Sequence, residues 1–98
     1  MSKRNGLFLM LFVLIPFLLL GCGAQEARNQ IQSAEKAFAD LKTAGGEKLA
    51  PYEYCSAESY LGISKMFYSR TQYKNTMEFV ARSKSASEAG LVEVKKKK

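Results

Sequence analysis

APYEYCSAESYLGISKMFYSRTQYKNTMEFVARS, residues 50–83, carries the pattern that decides the fold. Its apolar residues recur at a period near 3.6 and nowhere alternate strictly, as a half-buried strand would require. Pro51 suits the first turn of a helix, where its missing N–H has no intrahelical partner to lose. The helix that starts there runs to about Tyr68 and carries an apolar stripe of Tyr52, Tyr60, Ile63 and Phe67, bordered by Cys55, Ala57, Leu61 and Tyr68. Gly62 inside it costs about 1 kcal/mol relative to alanine, which points to a close backbone neighbour. Ser69-Arg70-Thr71-Gln72 is a polar break. A further helix, from about Thr71 to Ala89, places Tyr73, Met77, Val80 and Ala81 on one face with Phe79 and Ala86 beside it, and Gly90 is positioned to close it.

Upstream, Ala24, Ala27, Ile31, Ala34, Phe38 and Leu41 alternate in steps of three and four, the seam of an amphipathic helix that Gly45-Gly46 ends. Half of that seam is alanine, so the helix is weak alone and needs a facing partner. The fold class that follows is all-α: a small three-helix bundle, helix plus hairpin, over residues 22–90. Residues 91–98, with Lys95-Lys96-Lys97-Lys98, read as a disordered basic tail.

Residues 1–21 read as an address. Lys3 and Arg4 precede Leu7–Leu20 (LFLMLFVLIPFLLL), which holds no charged or hydrogen-bonding side chain and is broken by Pro16. As a helix this run rises roughly 21 Å, short of the roughly 30 Å hydrocarbon core and within the length of a signal-peptide apolar region. An uncleaved anchor drawing in flanking residues is the alternative. Leu19-Leu20-Gly21-Cys22 resembles the lipobox of bacterial lipoproteins, with a branched apolar residue three before the cysteine and a small one directly before it. The resemblance implies cleavage between Gly21 and Cys22, a thioether-linked diacylglycerol on Cys22 and, in Gram-negative hosts, an added N-acyl chain. A plain signal peptide ending near a cysteine is the competing reading. Two or three acyl chains on one residue anchor a protein stably, whereas one binds marginally. Gly23, and not Asp, follows the cysteine, which by the enteric pattern points to the outer membrane, facing the periplasm.

Charge and composition narrow the chemistry. Of the 15 basic residues, Lys3 and Arg4 lie in the leader and Lys95–Lys98 in the tail; the remaining nine balance the 9 acids, so the net +6 does not belong to the folded body. That distribution disfavours nucleic acid as a partner. The chain has no His and no Trp, which removes His-based acid–base catalysis, Ser-His-Asp triads and most zinc sites. Once Cys22 is a thioether, Cys55 has no partner within the chain. It is either a small buried apolar residue or a partner in an intermolecular disulfide, and without a nearby base it is a poor nucleophile. No catalytic residue, metal site or cofactor is assigned.

The two helices of residues 50–89 resemble a tetratricopeptide hairpin. Tyr60, Ile63, Phe67, Tyr73, Met77 and Val80 stand at its packing positions, while Thr71, Thr76 and Ser83 stand where that repeat prefers Gly, Ala and Ala. The APYEY run, with Ala57-Glu58-Ser59-Tyr60-Leu61, Tyr73 and Phe79-Val80-Ala81-Arg82-Ser83, is similar to a helical domain of unknown function, DUF4398, found in short bacterial lipoproteins. The similarity covers roughly residues 30–90 and implies an envelope location and a helical fold, with no catalytic residues to transfer.

The functional expectation is a lipid-anchored envelope lipoprotein with a structural or protein-interaction role. A tether of the Braun-lipoprotein kind, joined to peptidoglycan through Lys98, is the alternative. The expected partners are the membrane, through covalent lipid, together with an envelope protein, peptidoglycan or a second copy of the chain. Tyr54 and Tyr68 lie off the main aromatic stripe and are the tyrosines expected to be exposed for such contacts. Lys95, Lys96, Lys97 and Lys98 are the candidates for anionic lipid or polymer, at about 1 kcal/mol per basic side chain near an anionic membrane. A solvated tail is the competing reading.

Overall fold

A computed structural model describes the backbone of residues 2–98 and the side chains of residues 23–98, so the side chains of the apolar run, the lipobox and Cys22 lie outside what is described. Four helices follow one another: α1 (Ser2–Thr43), the single turn α2 (Gly46–Leu49), α3 (Pro51–Ser69) and α4 (Tyr73–Lys97). Among the described residues there is no strand. α1, α3 and α4 pack on one another as three rods, and α2 caps the end where α1 turns into α3.

The turns have identifiable causes. Gly45 takes φ 88°, the left-handed conformation that releases α1 after Thr43. Pro51 occupies the start of α3, as its chemistry predicts. The turn between α3 and α4 is closed by the Gln72 N–H donating to the Phe67 carbonyl at 2.9 Å, with Thr71 at φ 58°. A β-branched residue in the left-handed region is strained by roughly 1–2 kcal/mol. Thr71→Gly should therefore stabilise the bundle by about 1 kcal/mol, a rise of about 4–8 °C in the melting midpoint for a domain of this size. An unchanged or lower midpoint in circular dichroism would show that the turn is not strained.

The packing follows a seven-residue repeat shared by all three long helices. One position of the repeat is Ala27, Ala34 and Leu41 on α1, Ala50, Ala57 and Ser64 along α3, and Thr76, Ser83 and Gly90 on α4, all buried. The other is Ile31 and Phe38, then Tyr54, Leu61 and Tyr68, then Val80, Ser87 and Val94. A sustained repeat of seven gives knobs-into-holes packing with a left-handed supercoil. At the first position every residue but Leu41 is small, so the backbones approach closely. Leu41 is accommodated because Gly46 and Gly90 face it: a Cβ on Gly46 would stand 2.5 Å from the Leu41 Cγ, and one on Gly90 2.8 Å from both Leu41 methyl groups.

This repeat corrects several sequence expectations. The buried stripe of α3 is Tyr54, Ala57, Leu61 and Ser64, continued from Ala50 just before it and rotated from the one read in the sequence, so Tyr54 is buried and Tyr52 is exposed. Cys55 is exposed, which overturns the reading of a small buried residue. Gly62 is exposed with nothing within 4 Å of a Cβ built on it, so it makes no close approach. Gly90 does not close α4; it sits at the small position of the repeat, and the helix continues through it to Lys97, taking in most of the stretch read as a disordered tail.

Polar groups within this close packing are nearly all satisfied. The Ser83 hydroxyl donates across to the Ala57 carbonyl at 2.8 Å, a bond linking α4 to α3, while the Ser64 and Thr76 hydroxyls bond back to the Leu61 and Gln72 carbonyls. Ser87 Oγ is buried without a partner. An unsatisfied buried hydroxyl costs about 1–3 kcal/mol, and alanine fits the same small site. Ser87→Ala should raise the unfolding free energy by about 1 kcal/mol in urea titration, whereas Ser83→Ala should lower it by a similar amount.

Candidate interaction surfaces

The candidate site residues fall into three regions. At the end of the bundle that holds Gly23, an open cleft is lined by Ala24, Gln25, Arg28, Asn29, Gln32 and Tyr68. Tyr68 was expected to be exposed. It is half-buried, packs against the cluster of Ile31, Ala34, Leu61 and Val80, and places its ring 5.6 Å from that of Tyr73. Its position in the repeat explains both facts: it follows Leu61 by seven residues and is the last seam residue of α3.

Tyr54 was the other tyrosine assigned to a surface. Its ring packs 4.9 Å from Phe38, within the cluster of Leu41, Ala50 and Val94, so it is a core residue and carries no docking role. Burial, with Glu47, Glu58 and Cys55 adding to it, raises its phenol above the ordinary 10.0. The folded chain then keeps a proton that the unfolded chain releases, so stability falls as pH climbs past 10.0. The urea midpoint of wild type should drop between pH 9 and pH 11 by more than that of Tyr54→Phe. Equal drops would mean that this phenol is not perturbed.

Between the ends, the aromatic residues read as a core stripe form the half-buried edge of the α3–α4 seam. Phe79 lies 5.5 Å from Phe67 and 6.0 Å from Tyr60, and the Arg82 guanidinium stands over Phe79 at 4.9 Å while pairing with Glu78 at 2.9 Å. On the side of α3 turned to solvent, Tyr52 (79% exposed), Cys55 and Met66 are free of contacts that bury them. Cys55 is thus accessible for the intermolecular disulfide that the sequence left open.

At the far end, the lysines are part of a helix. Lys97 Nζ donates to the Leu49 carbonyl at 2.6 Å, tying the last turn of α4 to the corner between α2 and α3. Lys96 pairs with Glu93 at 3.5 Å, and Lys95 and Lys98 are exposed. Lys48 on α2 and Lys42 in the last turn of α1 are exposed at the same end. Sequence reasoning missed this assembly because it ended α4 at Gly90. The available signal was the seven-residue step from Ser87 to Val94, which places one more apolar residue on the seam beyond the glycine.

Among the described residues, no group of three or more acidic or cysteine side chains gathers as a metal ion would need, and no helix is long and apolar enough to cross a membrane. Compared with known proteins, the chain matches no family model, no curated protein and no solved structure.

Proposed function

We propose that this chain is a bacterial envelope lipoprotein, anchored through acyl chains on Cys22, whose small helical bundle has a structural or protein-interaction role and performs no catalysis. The observation that carries the reading is Leu19-Leu20-Gly21-Cys22 closing the uncharged run that starts at Leu7, with Cys22 five residues before Ala27, the first fully buried residue among those whose side chains are described. The leader and the folded unit therefore meet at the cysteine. Kinship with the DUF4398 lipoproteins and an outer-membrane position facing the periplasm belong to the same proposal, resting on the APYEY run and on Gly23.

Metabolic labelling with palmitate tests the anchor. Wild type should take up label and fractionate with membranes, and Cys22→Ser should lose both. Label retained by Cys22→Ser, or absent from wild type, would overturn the reading. The exposed thiol of Cys55 gives self-association a concrete form: in an oxidising compartment a fraction of the protein should run as a dimer on non-reducing gels, and Cys55→Ser should abolish that band. The covalent tether through Lys98 remains the second reading. The continuation of α4 to Lys97 favours it, since it sets Lys98 at the end of the bundle opposite Gly23.

A further inference from the structure

The lysine end of the bundle is a fixed cationic surface, and its position restricts what it can bind. α1 and α4 run side by side in the same direction, with Ile31 beside Val80 and Leu41 beside Gly90. The end that bears Lys42, Lys48 and Lys95–Lys98 is therefore opposite the end that bears Gly23. The 21 residues from Gly23 to Thr43 separate the two ends by roughly 30 Å. The helix and the Lys97–Leu49 hydrogen bond prevent the last turn from folding back along the bundle.

Asp40, Glu47, Glu53 and Glu93 share this end, yet they offset the lysine charge only in part. Along the middle of the bundle, Lys65 pairs with Glu35 at 3.1 Å and Arg82 with Glu78 at 2.9 Å. At the far end, of the four consecutive lysines only Lys96 has a carboxylate partner. Lys95, Lys96 and Lys97 fan out around the last turn of α4 and Lys98 follows it directly, so their like charges gather at one end, and the negative end of the helix dipole offsets only part of them. A polyanion would relieve the remainder.

We propose that the lysine end binds a carboxylate-bearing wall polymer of the peptidoglycan kind by ionic, non-covalent contacts. This inference rests on the Cys22 anchor, which puts the near end at a bilayer and leaves the far end roughly 30 Å out, beyond reach of the lipid headgroups of that bilayer. Exposed lysines act as point charges without the fixed fork of arginine, and so suit an irregular array of carboxylates better than a single shaped anion. Binding through several such contacts is screened at high salt.

The test is co-sedimentation of the full acylated protein, held in mild detergent, with purified peptidoglycan sacculi. Wild type should sediment at about 50 mM salt and be released by about 500 mM, given a Debye length that shrinks to a few ångströms. The triple variant Lys95→Gln, Lys96→Gln, Lys98→Gln, which spares the Lys97 bond, should bind at least about fivefold less at low salt, as expected from losing three ionic contacts. Its helical content and melting midpoint should stay at wild-type values, which shows that it folds. Equal sedimentation of the two proteins, or wild-type binding that ignores salt, would overturn the proposal. So would attachment that survives boiling in detergent, which means a covalent link, or lysine-dependent binding to anionic vesicles and not to sacculi, which means an opposing bilayer. The intact mass of the same preparation separates the two proposals. Acylated protein that fails to bind sinks the polymer and leaves the anchor, whereas unacylated protein that binds sinks the anchor.

Discussion

Leu41→Ala lowers the unfolding free energy by about 3–4 kcal/mol, the largest loss expected from any single truncation in the bundle. Leu41 is fully buried and is the only large residue at the small position of the shared repeat. It fills the space left by Gly46 and Gly90 and touches the cluster of Ala50, Tyr54 and Val94. Gly46, Gly90, Ala44 and Ala50 beside it have no side chains that could move in, while Tyr54, Val94, Leu49 and Leu91 can fill the void only in part. The cost therefore lies near the middle of the range for Leu→Ala. A domain of this size has only a few kcal/mol in total, so the variant should be largely unfolded at 37 °C by circular dichroism. A loss below about 1 kcal/mol would mean that the end of the bundle repacks or is not closed as described.

Gly46→Ala is the second large effect, a loss of about 2–3 kcal/mol from overpacking. The added Cβ would meet the Leu41 Cγ at 2.5 Å and the Leu41 carbonyl oxygen at 2.8 Å, so a change of rotamer cannot relieve it and the backbone at the α1–α2 corner must shift. Gly90→Ala meets only the Leu41 methyl groups and Glu53 Cβ, and should cost less. Combining Gly46→Ala with Leu41→Ala should cost less than the sum of the two, because one substitution vacates much of the space the other invades. Strict additivity would separate the two residues and contradict the packing described for this end.

The helical class and the three long helices were legible because period and punctuation agreed, with Pro51 starting α3, Gly45 ending α1 and residues 69–72 turning the chain, while the single turn α2 was not. The α1 seam was read correctly, with Ala27, Ile31, Ala34 and Leu41 buried, since the small residues on it are alanines and count as apolar. α3 and α4 misled for a physical reason. Where backbones approach closely, Ser64, Thr76, Ser83, Ser87 and Gly90 are buried, and a reading weighted by hydrophobicity takes all five for surface. It then assigns the core to the large aromatics beside them, which is how Tyr52 and Tyr54 exchanged places. Following the step of seven from Ala50 to Ala57 to Ser64, and from Thr76 to Ser83 to Gly90, would have found the true faces and carried α4 to its lysines.

Mass spectrometry of the intact protein purified from membranes bears most directly on the account. The chain should begin at Cys22 and carry the added mass of a diacylglycerol thioether, with a further acyl chain if the host is Gram-negative. A mass that starts at Met1, or a processed chain with an unmodified Cys22, would contradict the anchor and the placement of the lysine end that depends on it.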